Sequence, residues 1–218
     1  MLKLKGITHQ KFTFPADLAT ASDYYADFKR ILPFLPHIQL IKNYGDNKYR
    51  VLYNTMELSI YHVRIYADLQ VTYDEAACTL HVSPLLDYPP VRSTATVHSL
   101  TAHGYFTSRS IFYPRDQEHT LVDYELSLDA RLPKPFGLSL IPDRVMEQIA
   151  TNIAEWRIGE IASGFIRRSI HEYRQQLRCQ LTQPAPARSG QRESYPAVLA
   201  PHACPAQSNI PVEKNEAN

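Results

Sequence analysis

The chain has 218 residues, 44% hydrophobic and 21% charged, the proportions of an ordinary folded domain. No window approaches the ~18 uninterrupted apolar residues that a membrane-spanning helix needs. With 23 Lys and Arg against 22 Asp and Glu, the formal charge is +1, so the broad basic footprint of a nucleic-acid binder is missing and no nucleic-acid partner is expected.

Three cysteines, Cys78, Cys179 and Cys204, are odd in number and form no CxxC pair. A disulfide framework or structural zinc site is not expected, and a reducing, cytoplasmic compartment fits. Met1 to Lys5 carry charge but lead into no apolar run, so a secretory leader is not expected either.

Lys3 to Phe14 reads as a strand that Pro15 ends. Asp17 or Thr20 can cap the next segment, in which Leu18, Tyr24, Tyr25, Phe28, Ile31 and Leu32 recur at helical intervals until Pro33 and Pro36 stop the pattern. This predicts one or two short helices. Six further strands are expected at His37–Tyr44, Lys48–Thr55, Leu58–Tyr73, Ala77–Val82, Gly104–Tyr113 and Thr120–Ala130. Turn signals such as Gly45-Asp46-Asn47 and Pro114-Arg115-Asp116 separate them, which argues for an antiparallel meander.

Alternation assigns faces. On the longest strand Tyr61, Val63, Ile65, Ala67, Leu69 and Val71 point inward, with His62, Arg64, Tyr66 and Asp68 outward. Cys78, Leu80 and Val82, then Val122, Tyr124, Leu126 and Leu128, are read as inward. The strand around Arg109 has two candidate parities: Tyr105, Thr107, Arg109 and Ile111, or Phe106, Ser108, Ser110 and Phe112.

Pro142 and Asp143 open a long helix, since proline suits its first turn and a carboxylate there favours the positive end of the macrodipole. About 35 residues would span ~50 Å. Val145, Met146, Ile149, Ile153 and Trp156 form a stripe expected to cover the sheet. The second half does not continue it: Ile158, Ala162, Phe165, Ile166, Ile170, Tyr173 and Leu177 lie on the other side, with the reversal at Gly159. Either the helix bends at the glycine or its distal half packs on something else.

Arg167, Arg168, Arg174 and Arg178 lie opposite that distal side. Phe165, Ile166, Arg167, Arg168, Ile170 and Arg174 thus make a candidate surface for a peripheral membrane or a protein partner, against the plainer reading that the arginines complement the helix dipole and the apolar residues pack internally. After Leu181 the chain is rich in Pro, Ala, Ser and Gln and lacks apolar periodicity. Residues 1–181 are read as one domain and 182–218 as a disordered tail.

This order is α+β: a strand, two short helices, six antiparallel strands and a long helix. It resembles the helix-grip fold of the START-like (polyketide cyclase, SRPBCC-type) superfamily. VLYNTMELSIYHVRIYADLQV (51–71) and the run from LPKPFGLSLIPDRVMEQIATNIAEWRIGEIASGF to IRRSIHEYRQQL also resemble a START-like family of undetermined function found in cyanobacteria and plastids. The resemblance implies a curved seven-stranded antiparallel sheet wrapped around the C-terminal helix. It also implies a cavity between them for an apolar or amphipathic molecule such as a lipid, isoprenoid or pigment. No residue inherits a catalytic role and no cofactor is implied.

Ala67, Ala150 and Ala154 would leave room in such a cavity; Tyr53, Tyr61, Tyr124 and Trp156 could fill it. Ile153 is also expected on the wall. If their parity is inward, Tyr105 and Arg109 join the wall, where Arg109 could anchor an anionic group or, with Tyr124 as acid, assist a cyclase or dehydratase reaction. Nine histidines form no HxH or HExxH, and no GxSxG or phosphate loop occurs, so no metal site is expected. Three readings stay open: a non-catalytic binding protein, an assembly protein using the distal helix, and an enzyme.

Overall fold

In a computed structural model the chain is described over residues 1–57, 61–134 and 141–182, the side chains of 181 and 182 excepted. It divides into two compact units, Met1–His171 and Glu172–Asn218. The tail expected over 182–218 lies, apart from the helical backbone of Thr182, outside the described residues.

Strand β1 (Leu2–Phe14) leads to α1 (Leu18–Ala26), capped by the Asp17 carboxylate on Thr20 N–H at 3.0 Å. The short helix α2 (Phe28–Ile31) and a 3₁₀ turn (Leu32–Phe34) come next. Then come β2 (Ile38–Gly45), β3 (Lys48–Glu57), β4 (Tyr61–Asp74), β5 (Thr79–Pro84), a two-residue β6 (Thr94–Ala95), β7 (Ser99–Pro114), β8 (Thr120–Leu132) and α3 (Asp143–Thr182).

Seven of these strands make one sheet in the order β1-β8-β7-β5-β4-β3-β2, with β6 added on β7. The sheet is antiparallel with one exception: the first half of β7 runs parallel to β4, from His62↔Ser99 to Tyr66↔His103. The short β5 enters as a wedge, pairing β4 on one side and the second half of β7 on the other. The helix-grip architecture expected from the sequence is present, with β6 and the parallel stretch as additions.

The inward alternation of β4 and β8 holds: Ile65, Ala67, Leu69, Val71, Val122, Tyr124, Leu126 and Leu128 are buried. For β7 the buried parity is Phe106, Ser110 and Phe112. Cys78 is not on an inward strand face. It occupies the β4–β5 turn with φ +45°, a left-handed position that the turn imposes.

Asp68 is a second departure, placed outward by alternation yet fully buried. Arg50 on β3 holds it from two nitrogens, Nε and Nη2, each at 2.7 Å, and Tyr44 Oη donates to it at 3.1 Å. Arg50 also donates to Pro89 O at 3.0 Å, Leu85 N–H to Asp68 O, and Tyr44 stacks on Tyr88 at 3.9 Å. This network pins the 85–91 segment onto the outer face of the sheet, where Asp68 is fully shielded from water and Arg50 only partly.

Helix α3 runs unbroken through Gly159. Its buried residues, Met146, Ala154, Ile158, Ile161, Ala162, Gly164, Phe165 and Ser169, fall on one side of the helix and make one continuous stripe. Val145 (48% exposed), Ile149 (42%) and Trp156 (61%) do not cover the sheet as expected. They form a ridge turned away from the sheet, of which Ile149 alone also reaches the rim of the space beneath the helix, and the Trp156 ring carries the Arg157 guanidinium 4.3 Å from its centroid.

Glycine lets the helix come close. A Cβ at Gly6 would lie 3.1 Å from Ala154 O and from Ile158 Cγ1, and one at Gly164 would lie 2.5 Å from Pro36 Cγ.

Arg50→Ala leaves the Asp68 carboxylate buried without its cation, so it should cost about 3–5 kcal/mol and lower Tm by about 10 °C. The double change Arg50→Met/Asp68→Leu should recover most of that loss in the same thermal melts. A single variant as stable as wild type would show that the clamp contributes nothing.

Candidate functional site

Between the sheet and the first half of α3 lies a cavity of about 390 Å³. Leu2 and Leu4 of β1, Val63 and Ile65 of β4, Leu100 and Phe106 of β7, and Leu128 and Leu132 of β8 form its sheet side. Met146, Ala150, Ile153, Ala154 and Ile158 form its helix side. Exposed Val97, His98 and Ile149 belong to the wall too, so the cavity reaches the surface between the turn before β7 and the start of α3.

The other half of the grip is solid. Phe14, Tyr24, Tyr25, Phe112, Tyr124 and Phe165 contact one another with centroid separations from 5.0 to 5.9 Å. Two buried phenols of this cluster are anchored on α3: Tyr25 Oη lies 2.9 Å from Ser169 Oγ and Tyr24 Oη donates to Ser169 O at 3.2 Å. Burial raises the Tyr25 pKa and the Ser169 hydrogen bond only partly opposes it. A residual space of about 60 Å³ remains there, and Phe106 and Ile161 line both voids, forming the partition.

One corner of the large cavity is polar. Arg157, on α3, donates from Nε and Nη2 to the two oxygens of Glu57 at 2.8 and 3.0 Å, and from Nη1 to Glu160 at 2.6 Å. Burial alone would lower the Arg157 pKa, but the carboxylates raise it well above its usual value. Desolvation pushes Glu160 up, but the Arg157 hydrogen bond prevails and its pKa is lowered. His37 Nε2 stands 3.6 Å from Glu160 on the far side.

Tyr53 belongs to this corner. It is buried, and its Oη has no hydrogen-bond partner among the described residues. Thr55, nearby, acts to lower its pKa, against the effect of burial. Desolvation first, and then the Glu57 carboxylate, raise the Tyr53 pKa.

Of the residues expected on the wall, Tyr53, Tyr61 and Ile153 line the large cavity, Tyr61 with its hydroxyl turned to Ser99 O at 3.1 Å. Tyr124 lines the small one. Ala67 is fully buried in the sheet and lines neither.

Three residues are corrected outright. Trp156 is on the outward ridge, and Tyr105 and Arg109 are exposed on the outer face of β7. Gly104 packs against Ile65 and Leu128 and so fixes the other parity inward. Arg109 pairs in register with Glu125, as Ser110 does with Tyr124, so Arg109 and Tyr124 lie on opposite faces and make no acid–cation pair.

On the distal helix Arg167, Arg168 and Arg174 are exposed, but Phe165 is in the aromatic core and Ile166 and Ile170 are half-buried. The apolar side expected to meet a membrane or partner is largely occupied within the fold. No group of metal-ligating side chains occurs among the described residues.

Sequence reasoning missed Glu57, Arg157 and Glu160. The i,i+3 spacing of Arg157 and Glu160 was visible. Nothing in the sequence tied Glu57 to a helix 100 residues away.

No family model matches the chain, and no curated protein does. Among solved structures, the Zhui aromatase/cyclase from a Streptomyces species superposes with a TM-score of 0.50 at 13% identity, covering 81% of this chain and 98% of that one. The fold is the START-like helix grip. Norcoclaurine synthase from Thalictrum flavum, solved with dopamine and hydroxybenzaldehyde, gives 0.42 at 12% identity over 80% of this chain and 88% of its own. A START superfamily protein from Mycobacterium smegmatis gives 0.40 at 14% over 78% and 98%. At such identities the START-like match speaks to fold and not to activity. The narrower resemblance to a cyanobacterial and plastid family draws no support from these comparisons.

The polar corner should matter for stability in a specific way. Glu160, with its folded pKa below the ordinary 4.5, contributes stability that is full above that value and is lost as pH falls through the folded pKa. Arg157→Met removes the partner of both carboxylates. It should cost about 3 kcal/mol at neutral pH, much of it from the half-buried Glu57, and should flatten the acid limb of stability against pH in urea melts. An unchanged acid limb would count against the network.

Proposed function

We propose that this protein is a non-catalytic binding protein for a mostly apolar small molecule, held between the sheet and the first half of α3. The observation that supports this most is the contrast inside one fold. Half of the grip is packed with aromatic rings, whereas the other half keeps a void of about 390 Å³ walled by aliphatic side chains and reaching the surface. This volume falls within the ~300–1,000 Å³ of small-molecule sites. An apolar void forfeits dispersion contacts that a ligand restores.

The cyclase-like alternative loses its named pair, since Arg109 and Tyr124 are on opposite faces. The assembly alternative loses the buried Phe165 as a contact.

The test is dye uptake. Wild-type protein should bind the neutral probe N-phenylnaphthylamine with a rise in fluorescence. Ala150→Trp, which fills the cavity from the helix side, should abolish the rise while keeping the circular dichroism spectrum. Equal uptake by the two proteins would refute the assignment.

A peripheral membrane role in a reducing, cytoplasmic setting is the finer part of this reading. Arg167 and Arg168, exposed on α3, support it, and among the described residues no helix is long and apolar enough to cross a membrane. Sedimentation with anionic vesicles should recover less of Arg167→Glu/Arg168→Glu than of wild type. Equal recovery would remove the membrane role.

A further inference from the structure

The polar corner narrows the chemistry of what the cavity holds, an inference that rests on the binding reading above. The Tyr53 hydroxyl is buried and has no hydrogen-bond partner among the described residues, and a phenol withdrawn from water without a partner costs free energy that a suitable acceptor restores. Arg157, beside it, is not a free cation. All three of its guanidinium nitrogens are engaged by Glu57 and Glu160.

Two carboxylates against one guanidinium leave the corner net negative, offset only when His37, 3.6 Å from Glu160, carries a proton. On the rest of the described wall the acid–base side chains are His98, at the exposed rim, and Tyr61, whose hydroxyl already donates to backbone oxygen. An anionic head group would therefore meet carboxylates and no uncommitted cation, in surroundings where charge is poorly screened.

We propose that the cavity selects an uncharged apolar molecule carrying a hydrogen-bond acceptor, a carbonyl, ether or hydroxyl oxygen, that takes the Tyr53 proton donor, and that it discriminates against a carboxylate or phosphate on the same apolar body. Burial and the Glu57 carboxylate keep the Tyr53 phenol protonated, so it can donate. A neutral acceptor satisfies the hydroxyl without adding charge to the corner.

The experiment is competition against N-phenylnaphthylamine on the full chain, with naphthalene, acetylnaphthalene and naphthoate as competitors sharing one apolar body, in wild type and Tyr53→Phe. Unliganded melting of both proteins accompanies it. The ketone should bind wild type about tenfold tighter than the carboxylate, and several-fold tighter than naphthalene.

Tyr53→Phe should erase the advantage of the ketone over naphthalene and melt at or above the wild-type temperature without ligand. The proposal is overturned if naphthoate binds as well as the ketone, if the ketone preference survives in Tyr53→Phe, or if the unliganded variant melts clearly lower, since the hydroxyl would then have a partner inside the protein. Dye uptake without ketone preference refutes this proposal alone. A wild type that takes up no dye refutes the binding reading and this proposal with it.

Discussion

At Gly6 the backbone of β1 comes so close to α3 that a methyl group there would press on Ala154 O and Ile158 Cγ1, each at 3.1 Å. That contact places the helix under the edge of the sheet, and the distribution of side-chain volume along the helix does the rest. Where α3 offers Ala150 and Ala154, the opposite strands bring aliphatic residues that cannot reach across, and a cavity remains. Where it offers Phe165 and Ser169, the tyrosines of α1 fill the space and tie their hydroxyls to the helix. Close-packed interiors leave few voids larger than a water molecule, so a void of about 390 Å³ in one half of the grip, against about 60 Å³ in the other, is the feature that the proposed binding role would explain.

The molecule contains two ion networks of different character. On the outer face Arg50 and Asp68 neutralise each other beneath the 85–91 segment, and the surrounding hydrogen bonds leave neither ion short of partners. Such a pair fastens a loop to a sheet. At the corner of the cavity one arginine serves two carboxylates while a neighbouring phenol has no partner among the described residues. The first network is complete within the protein, whereas the second leaves, among the described residues, a donor and an excess of negative charge at the edge of an apolar space.

Much of the strand order was legible because strands such as β4 and β8 obey a period of two and several turns carry Gly, Pro, Asn or Asp. β4 and β8 alternate cleanly, so their inward residues could be named. β7 could not be read that way, since Tyr105, Thr107 and Ile111 compete with Phe106, Ser108 and Phe112 for the same face, and only the packing of Gly104 against Ile65 and Leu128 decides between them. The long helix misled for a related reason. Its largest apolar residues, Val145, Ile149 and Trp156, outweigh the alanines in any hydrophobic pattern, yet it is the alanines that fit against the sheet. Asp68 read as a surface residue because alternation knows nothing of a segment that folds back over the outer face.

By itself the sequence determined the element order, the helix-grip class and the presence of tyrosines, alanines and aliphatic residues able to build or fill a cavity, because these depend on local periodicity and composition. Tertiary structure decided which half of the grip stays hollow, which face Arg109 takes, and that Glu57, Arg157, Glu160 and Tyr53 meet in one corner. Those outcomes depend on side-chain volumes and charges brought together from strands and a helix some hundred residues apart, a coincidence in space that no spacing along the chain encodes.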